Sequence, residues 1–214
     1  MHATRRLLCR LLAATALLAA PSASRAEDLR PYEAGPLTAA DFRGKIPTTA
    51  PGDAQTTTHL RYNFRYRYRF TGGATVLTIE QVEIEALIDR DTSWNRRPSD
   101  TALLAHEQGH ADNAWIQCLK ARLAVRKNLD RPGGWTFTAR SLKDAEAKAN
   151  KALTDMMQAF EQEGVEADAA YDRETQHGLG PRQGEWRRVQ QATIEELEAA
   201  WSEGFPRVPA SSAT

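Results

Sequence analysis

The chain has 214 residues, long enough for one domain with a sizeable core, and carries 28 basic and 28 acidic residues, a formal net charge of zero. That balance gives no ground for nucleic acid or anionic lipid as a partner. Two cysteines in the whole chain exclude a disulfide scaffold.

Residues 1–26 read as a secretory signal peptide. Arg5, Arg6 and Arg10 form a basic start, residues 11–20 a short apolar run, and Ser24-Arg25-Ala26 a cleavage site with small residues at −3 and −1. The run is too short to cross a membrane, so stable insertion is not expected. Thr4-Arg5-Arg6 followed by two leucines also weakly matches a twin-arginine signal. The expected location is therefore outside the cytoplasm, periplasmic or secreted. Removing these residues takes away four arginines and no acids, leaving 188 residues with 24 basic against 28 acidic side chains, a charge of −4. Cys9 leaves with the leader, and Cys118 then stands alone on a helix, where inert packing is the natural reading.

One domain is expected over 27–205. Residues 27–58, rich in Pro, Gly, Thr and Ala, show no sustained period and suggest an extended segment. From 60 to 70 the alternation is strict: Leu60, Tyr62, Phe64, Tyr66, Tyr68 and Phe70 against Arg61, Asn63, Arg65, Arg67 and Arg69. Thr71-Gly72-Gly73 turns the chain, and a return strand follows over 77–88, with a phase slip that marks a bulge near Glu80-Gln81. The arginines of the first strand find complementary Glu83 and Glu85 on the second, which predicts an ion-paired, solvated sheet face.

After Pro98 the pattern is helical. Asp100 caps a helix to about Asn128, with an apolar stripe of Leu104, Ala111, Trp115 and Leu119. Ser141 and Asp144 start a second long helix with a stripe of Leu142, Ala145, Ala149, Leu153, Met156 and Phe160. Gly164 marks a possible kink, and Gly178, Gly180 and Pro181 end the helix. A last amphipathic helix runs over 186–201, and residues 206–214 read as a disordered tail. This order predicts an α+β fold, a small antiparallel hairpin sheet beside a helical body. The active-site helix would be zincin-like, with a sheet edge above it lining the cleft.

The first helix carries His106-Glu107-Gln108-Gly109-His110. Imidazoles at i and i+4 share one helix face and can bind one Zn²⁺, while the Glu between them serves as general base toward the metal's water. Gly109 inside a helix costs about 1 kcal/mol relative to Ala, which suggests a close approach there. A catalytic zinc needs a third protein ligand. Residues 27–214 hold four histidines, His59, His106, His110 and His177. His59 falls on the outward face of the first strand, so His177 is the expected third ligand, with Glu174 and Asp172 as alternatives. Asp112 is a candidate to orient a ligand imidazole. Tyr171 is either an oxyanion partner or a buried structural residue.

Several ordered blocks resemble the DUF922 family, bacterial proteins described as secreted zinc-dependent proteases. They are Pro36-Leu37-Thr38-Ala39-Ala40-Asp41-Phe42-Arg43-Gly44-Lys45, then Ser93-Trp94, the block from Leu103 through His106 and His110 to Asp112, and Tyr171-Asp172-Arg173-Glu174-Thr175-Gln176-His177-Gly178 with Gln183 and Trp186. The resemblance spans about residues 36–186. It implies a zinc pair at His106 and His110, a catalytic role for Glu107, and a functional block at 171–178. Ala111 and Asn113 depart from the family's larger residues around the Asp, and the helix after Trp186 runs past the usual family end.

The resulting expectation is a zinc metallopeptidase cleaving a peptide or protein, with Glu107 catalytic and His106, His110 and His177 on the metal. Two other readings stand beside it: an exported zinc-binding or envelope protein without turnover, and an interaction module built on the aromatic hairpin.

Overall fold

The computed structural model describes residues 28–49 and 52–203; the leader expected over 1–26 and the tail expected over 206–214 lie outside them. Among the described residues six strands and three α-helices follow in the order β1 (Leu29–Pro31), β2 (Ala54–Gln55), β3 (Thr58–Thr71), β4 (Ala74–Asp89), β5 (Trp94–Asn95), α1 (Thr101–Leu129), β6 (Trp135–Ala139), α2 (Leu142–Thr175) and α3 (Gln183–Glu203).

The fold is α+β, as the sequence pattern predicts. The β3–β4 hairpin forms because its alternation places one apolar face inward, and Gly72 and Gly73, at φ 57° and 76°, suit the two-residue turn between Thr71 and Ala74. The ladder shifts where Arg65 pairs with Gln81 and Tyr66 with Ile79, so Glu80 is the bulged residue.

The sheet exceeds a hairpin. All its pairings are antiparallel, with β1 and β6 both lying along the other edge of β4, at opposite ends. Sequence reading passed over β6, although Trp135 and Phe137 alternate with threonines there. β2 and β5 pair as a separate two-stranded ribbon.

The inner face, with Tyr62, Phe64, Tyr66, Leu77, Ile79 and Ile84, packs on the helices to form the core. Trp115 and Leu119 of α1 enter it, as do Ala145, Ala149, Leu153 and Met157 of α2 and Ile194 of α3. Met157 is fully enclosed while Met156 and Phe160 are only partly buried, so the stripe sits slightly round the helix from the expected line. α2 runs unbroken through Gly164 to Thr175. Contacts of Lys120 with Glu163 and of His110 with Asp168 show that α1 and α2 are antiparallel. That arrangement carries the C-terminal end of α2 onto the first turns of α1.

No helix among the described residues is long and apolar enough to cross a membrane.

Candidate metal centre

Asp100 caps α1, accepting from the backbone N–H of Ala102 and Leu103 at 3.0 Å each, and this fixes the helix start one turn before the histidines. His106 and Glu107 are buried and His110 nearly so. The two imidazole rings stand 4.9 Å apart and almost perpendicular, at 87°.

The end of α2 supplies the opposing wall. Gln176, His177 and Gly178 all take positive φ, 52°, 53° and 83°, so the chain curls back over His106 at the close of the helix. A side chain at position 178 would come within 3.0 Å of His106 Cβ, which leaves glycine as the residue that allows this wrap. The curl brings His177 beside the motif. Its ring centroid lies 6.4 Å from that of His106, and its side chain remains 70% exposed at the rim.

Three imidazole nitrogens meet at one carboxylate oxygen. Asp172 Oδ1 lies 3.0 Å from His106 Nε2, 3.1 Å from His110 Nε2 and 3.4 Å from His177 Nδ1. Among the described residues two overlapping donor sets, His106–Glu107–His110 and His106–Asp172–His177, each fit within 4.8 Å and could hold a metal ion. Neutral imidazoles with a carboxylate are the donor chemistry of a borderline divalent cation. Of the alternatives read from sequence, Asp172 joins the cluster and Glu174 does not: its carboxylate receives Arg182 and the Trp186 indole N–H at 3.1 Å.

The outer nitrogens are also held. His110 Nδ1 lies 3.0 Å from Asp168 Oδ1, which also accepts from Asn113 Nδ2 at 2.8 Å. His106 Nδ1 lies 3.3 Å from Gln183 Oε1 and 3.5 Å from Thr175 Oγ1. Sequence reasoning gave the orienting role to Asp112, but that side chain accepts from Tyr32 at 2.9 Å and Gln108 at 2.7 Å, away from both imidazoles. Asp168 was missed because its relation to His110 depends on how two helices cross. His59 stays on the surface, 3.9 Å from Asp89.

Tyr171 lies beneath the cluster. It is fully buried and stacks on His106, with centroids 4.7 Å apart at 12°, and its hydroxyl donates to the His106 backbone carbonyl at 3.2 Å. That donor is committed to the helix, which makes Tyr171 a structural support rather than an oxyanion partner.

The cluster floors an open cleft of about 490 Å³, bordered by Ala54, Gln55, Thr56, Arg97 and Leu179. The sheet edge above the motif helix is therefore β2 of the small ribbon; no residue of the long hairpin lines the cleft. The N-terminal blocks hold that ribbon in place. Gly44 N donates to Ser93 O at 2.7 Å, Ser93 Oγ accepts from Thr57 N at 2.9 Å, and the indole of buried Trp94 donates to Gln55 at 3.2 Å. Thr56 is thereby set over the motif, donating to Glu107 Oε2 at 2.6 Å.

Charge in the cluster follows from burial and pairing. Burial raises the Glu107 carboxyl above its usual range, opposed by His110, Thr56 and His106. Burial alone would lower His110, but its hydrogen bonds to Asp168 and Asp172 outweigh that and raise it to about 10. Burial likewise works to raise Asp172, yet its bonds to His106 and His110 hold it well below the ordinary carboxylate range. Far from the site, burial pushes the Cys118 thiol up to about 12, which suits inert packing.

Comparison with known proteins adds no relative: no family model, curated protein or solved structure matches the chain. The resemblance to DUF922 thus rests on the quoted blocks alone.

Proposed function

We propose that the protein is an exported zinc-dependent hydrolase acting on peptides or proteins, with His106, His110 and His177 as metal ligands and Glu107 as general base. The observation that carries this reading is the convergence of three imidazole nitrogens within 3.0–3.4 Å of Asp172 Oδ1, beside Glu107, on the floor of an open cleft. Bound zinc would supply an acidified water and a Lewis acid for a scissile carbonyl. The chain's own residues do the rest. Glu107, its carboxyl raised by burial, would accept the water's proton and pass it to the leaving amine. Thr56 holds its carboxylate in orientation. Asp168 and Gln183 fix the two imidazoles at their outer nitrogens.

A peptide is favoured by the β2 edge. Arg96 N donates to Asp53 O at 2.7 Å, which places Ala54 in the phase whose N–H and C=O point away from β5. Ala54 borders the cleft, so an extended substrate can add there as a strand. The leader-like residues 1–26 support export.

The test is elemental mass spectrometry of the chain from Glu27 onward, followed by a peptide-library digest with and without chelator. Near-stoichiometric zinc, chelator-sensitive cleavage and recovery on adding zinc support the reading. Failure to take up any divalent metal, even after reconstitution, rejects it.

One observation favours a second reading, a closed zinc site without turnover. Asp172 reaches both Nε2 atoms at 3.0–3.1 Å and is placed to be a fourth protein ligand. Four filled protein positions mark a structural site. X-ray absorption on the zinc-loaded protein separates the two, since an exchangeable light ligand belongs to the enzyme only.

A further inference from the structure

The outer face of the sheet has two unlike halves. In the first, Arg61 reaches Glu85 in direct register, through Nε at 3.0 Å and Nη2 at 2.8 Å, as an ion-paired face requires. Toward the hairpin tip the acids end while the arginines continue. Arg65 stands opposite Gln81 just before the Glu80 bulge, and beyond it Arg67 stands opposite Thr78 and Arg69 opposite Val76. Arg140 follows Ala139, which pairs with Thr75, and continues the exposed alternation of Thr136 and Thr138 at the same end.

All four guanidinium side chains are on exposed residues. Arg67 meets exposed Glu80 at 3.8 Å, and among the described residues Arg65, Arg69 and Arg140 make no ion pair. Residues two apart on a strand stand roughly 7 Å from each other on one face, so the three strand arginines form a row. On the inner face Glu146 accepts from the Tyr66 hydroxyl. Overall neutrality conceals this row, because the excess acid lies outside it.

Two anionic partners could meet such a row, and the aromatic side chains decide between them. Tyr62, Phe64 and Tyr66 are buried on the other face, so no ring lies among the arginines for a base to stack on, and sequence-tolerant binding of single-stranded nucleic acid depends on that stacking. At the hairpin tip, by contrast, Phe70 is 73% exposed, edge-on to Tyr68 at 5.6 Å and beside the Gly72-Gly73 turn. Phe70 lies on the face opposite the arginine row, so a tip that enters the headgroup layer end-on carries the ring on one face and guanidinium groups on the other: the ring enters the interface and the guanidiniums take phosphate oxygens.

We infer that the distal half of the β3–β4 hairpin, through Arg65, Arg67, Arg69, Arg140 and Phe70, docks on an anionic phospholipid surface. The contact is peripheral and reversible, and it does not depend on the hydrolase reading. β3 has 14 residues, so the tip stands roughly 45 Å from Thr58 and the cleft wall that precedes it. A docked hairpin therefore holds the metal cluster clear of the lipid, with the cleft unobstructed.

The test is co-sedimentation of the chain from Glu27 onward, which contains every described element, with phosphatidylglycerol–phosphatidylcholine vesicles and with phosphatidylcholine alone. Salt-sensitive binding to the anionic vesicles only is expected. Arg65→Ser with Arg69→Ser should lower that partition by roughly 30-fold, from the usual contribution of a basic residue near such a surface. Phe70→Ser should weaken it as well. Circular dichroism and metal content, unchanged in both variants, show that the fold is kept. Absence of binding to anionic vesicles, equal binding by the folded double variant, or preference for single-stranded DNA over the vesicles would each overturn the inference.

Discussion

Tyr171 occupies the space that any side chain at Gly109 would need. A Cβ built there falls 2.7 Å from Tyr171 Cε1 and nearer still to its Cζ and Oη. The glycine in the middle of α1 is thus the complement of a ring that also stacks on His106. Gly109→Ala, ordinarily favourable in a helix, is expected to destabilise by about 1–3 kcal/mol through overpacking. Urea unfolding measures it. Adding Tyr171→Leu should recover part of the loss, because the two positions share one volume; strict additivity of the two substitutions would show that the contact is not the cause.

Asp168 should control metal affinity from outside the cluster. Its carboxylate fixes the His110 ring through Nδ1, and in turn is held by Asn113, whose Oδ1 accepts from Gln190 at 2.8 Å. Asp168→Ala is expected to weaken zinc binding about 10–100-fold in a chelator competition. Asp112→Asn, which disturbs only the Tyr32 and Gln108 contacts, should leave the affinity within a factor of about two of the parent. Equal losses in both variants would remove Asp168's special role.

Much of this architecture was legible because it depends on local pattern. The strict alternation from 60 to 70 and its slip near Glu80 set both strands and the bulge, and Asp100 and Ser141 marked helix starts that the structure keeps. Spacing alone put His106 and His110 on one face. What stayed hidden depends on chain crossings. Asp168 acquires its role only where α2 lies antiparallel to α1. Thr56 meets Glu107 only because the β2–β5 ribbon is tied down by Gly44, Ser93 and Trp94. A two-residue strand such as β2 has no period to read, so the cleft's upper edge was assigned to the wrong sheet. The pairing of arginines with acids was inferred for the whole face, whereas the bulge confines it largely to one half.

Metal uptake should release a proton. In the metal-free protein the bonds to Asp168 and Asp172 outweigh burial and keep His110 protonated to about 10, and a ligand imidazole must be neutral. Calorimetry near pH 7 in buffers of different ionisation enthalpy should report about one proton released per zinc. The same shift has a sign for stability. A His raised from 6.5 to about 10 stabilises the metal-free fold fully below pH 6.5, and that contribution fades as pH rises toward 10. Metal-free protein should therefore lose denaturation midpoint between those values, and zinc-loaded protein should not. A metal-free midpoint that is flat across this window would contradict the His110–aspartate pairing.

Removing the base should separate chemistry from binding. Glu107 is buried beneath Thr56 and adjoins both metal-binding histidines. Glu107→Gln keeps the shape and the Thr56 contact but has no lone pair able to accept a proton at neutral pH. Its turnover is expected to fall by a factor of about 10²–10⁴ or more, with zinc content unchanged. Turnover retained by a metal-loaded, contaminant-free variant would assign the base elsewhere.

The third ligand is decided by two substitutions made side by side. His177 offers a nitrogen from the exposed rim, whereas Asp172 is less exposed and touches both motif imidazoles. If the three histidines hold the ion, His177→Ala should lose near-stoichiometric zinc on dialysis, and a residual two-histidine site should bind weakly. Asp172→Ala should then keep zinc, because its carboxylate lies among the ligands without being one of them. The reverse pattern would make Asp172 the ligand and leave His177 at the mouth of the cleft, in reach of a substrate carbonyl. Loss in both variants is the signature of the closed four-ligand site, and turnover should then be absent from the parent as well.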